Sequence, residues 1–234
     1  MTNHPLGDEI YIAYAAGALS APMRLLVETQ AAVRNEVREE CELAEAAAGA
    51  LLEQIPPAGL KPGALDQVFA AIDAERASLG EAGAMRAVGS SDERRDVSAA
   101  SAAGRAIEEL LSLPGSVRDH ALEVGQWNFA GPGVRRMELM RDGSAKAELI
   151  RLEPGRGVPR HGHDCREFTL VLTGAFHDGL NRYGAGELCT ADPSLEHKPV
   201  AEEGEVCIAL AVTDGPLAFT GPLGWVQRAI GALS

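Results

Sequence analysis

The period of the apolar residues changes part-way along the chain, and this change limits the fold more than any other feature. Up to residue 79 apolar positions recur every three or four residues, and from about residue 124 they fall in short runs and alternations punctuated by Gly and Pro. The first pattern belongs to amphipathic helices and the second to strands. The aromatics divide in the same way. Tyr11, Tyr14 and Phe69 precede residue 120, and seven more lie from Trp127 onward. A chain of 234 residues is long enough for one large domain or two small ones. The change of period selects two: an α domain and then a β domain.

Four helices are expected before residue 79. Asp8 opens the first. Ser20-Ala21-Pro22 opens the second, with a hydroxyl cap and a proline in the first turn, where its missing N–H costs nothing. The third carries Val33, Val37, Cys41, Ala44, Ala48, Leu51 and Ile55 as one apolar stripe, and Pro56-Pro57 stops it. The fourth follows Lys61-Pro62-Gly63 and places Leu65, Val68, Phe69, Ile72 and Leu79 on one side. Residues 80–110 read as a flexible linker that contains a short helix over 107–111. Strands are expected at 134–140, 146–152, 168–172, 187–191 and 206–212, with Asp142-Gly143 as a hairpin turn between the first two.

Charge narrows the function. The chain has 34 acidic and 21 basic side chains, a formal net charge of −13. Such a surface does not favour nucleic acid or an anionic membrane. Residues 1–54 carry nine carboxylates against three arginines, a balance that suits a basic protein partner. No apolar run is long enough to span a bilayer, the N-terminus has no export pattern, and Cys41, Cys165, Cys189 and Cys207 are widely spaced. A cytoplasmic protein with reduced thiols is the expectation.

The densest chemistry lies in Gly155-Arg-Gly-Val-Pro-Arg-His161-Gly-His163-Asp-Cys-Arg-Glu167. Residues two apart on a strand share a face, so His161 and His163 point the same way, and Glu167 keeps their parity. Two imidazoles and a carboxylate suit a divalent metal, and His197, about thirty residues on, could return as a fourth ligand. The donors suit zinc, manganese, iron, nickel or copper alike.

These residues resemble the cupin motifs. Gly155, His161, His163, Glu167 and Gly174 keep the spacing of the first motif, and Gly186, Pro193 and His197 are similar to a looser second one. The resemblance implies a β-barrel (a double-stranded β-helix) with His161, His163, Glu167 and His197 as metal ligands. A helical segment joined to a cupin is similar, over nearly the whole chain, to the ChrR family of zinc-dependent anti-sigma factors. Tyr11-Ile-Ala-Tyr14, Leu170–Phe176, Tyr183–Gly186, Glu196–Ala201 and Thr213–Leu217 carry that likeness. It implies a helical anti-sigma domain over 1–79, a linker over 80–110 and a cupin over 111–234. It also implies that the helices sequester an extracytoplasmic-function (ECF) sigma factor, and that the cupin, with one metal ion, zinc foremost, senses a stress signal such as singlet oxygen. Manganese, iron or nickel would also suit that site.

One departure stands out. The family's N-terminal zinc site pairs an early His with His-x3-Cys-x2-Cys. Here His4 matches the first, but Gln30, Arg34 and Val37 occupy the rest. An amide, a guanidinium and an isopropyl group do not bind zinc, so no zinc is expected in the helical domain. Packing along Val33–Ile55 is expected to hold it instead. The competing functions are a metal-dependent cupin oxygenase, isomerase or hydrolase, and a ligand-binding cupin whose helices self-associate as a homodimer. No separate nucleophile or general base stands out, so a regulator is expected rather than an enzyme.

Overall fold

The computed structural model describes residues 6–82, 104, 106–163, 165–191, 196–213 and 217–219, with backbone alone at 77–82, 163 and 217–219. The chain divides into two compact units, 1–49 with 106–234, and 50–105. Of the expected linker, residues 83–103 and 105 lie outside the described residues.

Helices come first: α1 (Asp8–Ala15), α2 (Ala21–Val33), α3 (Asn35–Leu52), α4 (Ala64–Ala82), a short α5 over 106–111, and α6 (Gly115–Val124). The strands follow: β1 (Asn128–Gly131), β2 (Val134–Asp142), β3 (Ala145–Leu152), β4 (His161–His163), β5 (Glu167–Thr173), β6 (Ala175–His177), β7 (Arg182–Gly184), β8 (Leu188–Ala191), β9 (Val200–Ala201), β10 (Cys207–Thr213) and β11 (Leu217–Phe219). They form a six-stranded sheet in the order β1-β2-β3-β10-β5-β8, a three-stranded sheet β7-β6-β9 and a two-stranded sheet β11-β4.

The six-stranded sheet is buried on both faces, which explains why β5 and β10 read as continuous apolar runs. One face carries Met137, Leu149, Leu170, Leu210 and Val212. These residues share one core with Ile10, Tyr11, Leu26, Val27 and Val37 of α1–α3 and with Val117 and Ala121 of α6. The opposite face joins Val134, Leu152, Val171 and Cys207 to Phe176 and Ala201 of the smaller sheet in a second core. The first three helices are therefore built onto the β domain.

Three contacts tie these helices to the sheet and to one another. The Asp142 carboxylate, at the hairpin between β2 and β3, accepts the Ala21 N–H at 3.1 Å and so caps α2 from outside the helix. Ser20 stands at the cap position without a side-chain bond of its own. Thr29 on α2 meets Ser116 on α6 at 3.0 Å. Arg151 on β3 donates twice to Glu109 on α5, at 2.7 and 2.8 Å.

Two expectations about the helices need correction. The first is that one helix runs through Val33 and Arg34: α2 ends at Val33 and Arg34 is extended (φ −132°, ψ 113°), so positions 30, 34 and 37 do not share a helix face. The corner lies against Gly186, where an added Cβ would stand 3.1 Å from Arg34 Cδ. Gly186 has φ +81°, a conformation that already favours glycine. The second concerns the Val33–Ile55 stripe. Val37 and Cys41 are buried and Ala44 is partly covered, but Val33, Leu51 and Ile55 are exposed. Packing against the sheet, not the stripe alone, holds the helices. The five strands with expected ranges fall within a residue or two of them, the remaining short strands had none, and Gly143 turns the hairpin at φ +59°. Helix α6 was not foreseen, although Pro114 at its start and Gly125 in the left-handed region at its end are ordinary helix-boundary signals.

Candidate metal centre

His161 begins β4, which pairs antiparallel with β11. Its backbone also exchanges two hydrogen bonds with His197: the His161 N–H donates at 3.1 Å and the His197 N–H donates back at 3.0 Å. This isolated bridge sets the two imidazoles side by side, with ring centroids 4.7 Å apart and Nε2 atoms 3.2 Å apart. His161 Nδ1 lies 2.9 Å from the Pro159 carbonyl oxygen. A carbonyl only accepts, so the proton belongs on Nδ1 and the Nε2 lone pair faces His197. A shared proton or a cation satisfies two ring nitrogens so placed.

Glu167 supplies the third donor from the first position of β5. It is 5% exposed. Burial raises its carboxyl above the ordinary range, while His161 and the Thr169 hydroxyl, which donates to Oε1 at 3.1 Å, act the other way. Donor atoms of His161, Glu167 and His197 all lie within 4.8 Å of one another. An ionised carboxylate in such a site needs a counter-charge. Two neutral imidazoles and a buried carboxylate provide the donor set of a divalent ion, so the residues fit a metal.

His163 lies on β4 opposite Leu217. Its side chain falls outside the described part of the structure, as does Pro193. Of the remaining histidines, His177 is exposed and His120 is half-buried on α6. All four cysteines are thiols. Cys41, Cys189 and Cys207 are buried and Cys165 is partly exposed.

Sequence reasoning missed the surroundings of this centre. Asp178 and Cys189, both buried, form a second group of donors with His197, all within 4.8 Å. Asp178 Oδ1 already accepts the Leu180 and Asn181 N–H groups at 2.8 and 2.7 Å. Burial pushes the Cys189 thiol up to about 11. A cavity lies beside His161 and Glu167, lined by Ile150, Leu152, Val158, Thr169, Phe176 and Ala209, with Arg136 also in its wall. Alternation along β2 and β3 places Arg136 and Glu148 on the inner face, a signal that a period-2 reading of those strands contains.

At the N-terminus, Gln30 is buried, Val37 is buried, and Arg34 turns its Nε toward Glu36 at 3.4 Å. His4 lies outside the described residues.

A cupin fold carrying clustered His and Glu donors, with helices packed on the outside of its large sheet, defines a class of helix-capped cupin. Residues 120–218 match the model of the ChrR cupin-like domain. The chain is 39% identical over 216 residues to the anti-sigma-E factor ChrR of Cereibacter sphaeroides, covering 92% of each chain. It belongs to the ChrR family. The crystal structure of Rhodobacter sphaeroides SigE in complex with the anti-sigma ChrR superposes with a TM-score of 0.65 at 34% identity, covering 89% of this chain and 97% of that one.

Proposed function

We propose that this protein is an anti-sigma regulator. Its helical region, residues 1–79, captures an ECF-type sigma factor. Its cupin domain, residues 111–234, holds one divalent metal as the sensing centre, and residues 80–110 join the two. The observation that carries this reading is α4. Leu65, Val68, Phe69 and Ile72 recur at helical spacing and are 63%, 55%, 55% and 42% exposed. A helix with an apolar stripe in water is a helix waiting for a groove or a second helix. The acidic character of residues 1–54 steers a basic partner toward the same region. Family membership supports sigma capture as the use of this face. In the absence of sigma factor the same stripe favours a homodimer.

In the cupin, His161, His163, Glu167 and His197 are the proposed ligands, and zinc is the proposed metal. A bound divalent ion would hold Glu167 ionised and tie β4, β5 and the segment at His197 together. Phe168 and Leu170 lie next to Glu167 on β5 and enter the core shared with α1 and α2. A change at the metal therefore reaches the helices through one strand. The helical region is proposed to hold no zinc, since its core is completed by the sheet. The cytoplasm is the proposed location, and a regulator is favoured over an enzyme. Among the described residues no helix is long and apolar enough to cross a membrane.

Copurification tests the proposal. The tagged full chain, co-expressed with the ECF sigma factor encoded nearest to it, is expected to retain that factor and about one metal ion per chain. Deletion of residues 1–79, or Phe69→Asp in a folded chain, is expected to release it. Retention of the factor by both variants would overturn the assignment.

A further inference from the structure

We propose that the cavity beside His161 and Glu167 binds a short-chain organic carboxylate, with Arg136 receiving its charged group. The site adjoins the proposed metal centre, but Arg136 lines the cavity whether or not Glu167 serves a metal. Arg136 lines the cavity from β2. Its Nη1 reaches Glu148 Oε1 at only 3.3 Å, and its Nε is buried with no acceptor among the described residues. Glu148 also serves Lys146, whose Nζ stands 3.0 Å from Oε2. Two cations thus share the Glu148 carboxylate. A guanidinium offers paired N–H donors in a plane, and a carboxylate offers the two oxygens that match them.

The remaining wall defines the rest of the ligand. Ile150, Leu152 and Phe176 are apolar, and the Thr169 hydroxyl already donates to Glu167. A small acid with a hydrocarbon end fits that wall. An inorganic anion such as phosphate has no apolar part to set against that wall.

Calorimetric titration of the full chain with propionate and with propionamide tests this, with metal content measured on the same sample. Propionate is expected to bind at least about tenfold more tightly than propionamide, and Arg136→Met to weaken propionate by about tenfold with metal content unchanged. Arg136→Lys keeps the charge and loses the fork, so an intermediate affinity is expected. Equal affinity for propionate and propionamide, tighter binding of phosphate, or full propionate affinity in a folded Arg136→Met chain would overturn the proposal. So would a chain that carries its metal but binds no propionate. The comparison of propionate with propionamide on the unmutated chain decides the matter if the variant does not fold. If the chain holds no metal but still binds propionate through Arg136, the metal reading fails and the anion site stands.

Discussion

Helices α2 and α4 are both amphipathic, and the structure treats them in opposite ways. On α2, Met23, Leu25, Leu26, Val27, Thr29 and Gln30 are all buried. On α4, over the positions whose side chains are described, Leu65, Val68, Phe69 and Ile72 are all substantially exposed. The first stripe has the outer face of a six-stranded sheet to cover it. The second is exposed over the described residues, and the proposed function gives it to a partner. An amphipathic pattern thus marks a helix that needs covering, and only the fold says whether the cover is internal.

The sharpest way to break this contrast is to cut both sides of it. Leu149 faces the helices from β3 and is fully buried. Leu149→Ala is expected to cost about 2–5 kcal/mol in urea unfolding. Phe69→Ala is expected to change stability by no more than about 0.5 kcal/mol, yet to weaken sigma-factor capture by about tenfold or more. A large stability loss in Phe69→Ala would mean that α4 is covered within the chain.

Next in size is the metal centre. His161→Ala is expected to lower metal content from about one ion per chain to none, with a fall in melting temperature. Sigma-factor capture should respond through β5, whereas Phe69→Ala should leave metal content unchanged. A smaller effect tests the seam between hairpin and helix. Asp142→Ala removes the external cap of α2 and is expected to cost about 0.5–1 kcal/mol.

The smallest effect is a pH dependence. Cys41 packs in the core under the helices, and its thiol is pushed up to about 11 by burial, with Glu45, Glu40 and Glu42 adding to the shift. The folded state therefore holds this proton more tightly than the unfolded one. The associated stability is complete below the ordinary thiol value of 9.0 and fades as pH rises toward 11. Cys41→Ala, compared with the parent chain between pH 8 and 10.5, should flatten that decline. At pH 8 an alkylating reagent should reach Cys165 well before Cys41, Cys189 or Cys207, as read by mass spectrometry.

Much of the β domain was legible because its signals are local. Asp142-Gly143 marks the hairpin, alternation marks β2 and β3, and the fixed spacing from Gly155 to Gly174 marks the cupin motif. The convergence of His161, Glu167 and His197 is less local: Glu167 opens a separate strand, β5, in another sheet, and a backbone bridge brings His197 beside His161. What stayed hidden depends on tertiary contacts. No Gly or Pro announces the break at Arg34, which lies instead against Gly186 from a turn about 150 residues away in sequence. The stripe on α3 carries on in sequence beyond Ala44, but the burial does not. Arg136 and Glu148 look like ordinary charged strand residues until the second face of the sheet is seen to be enclosed.

Hydrogen–deuterium exchange on the full chain, alone and with its sigma factor, tests the division between the two helices most directly. The account predicts slow exchange in α2 in both states, and fast exchange in α4 that becomes slow when the sigma factor is bound. Slow exchange of α4 in the chain alone, or no change there on binding, would contradict it.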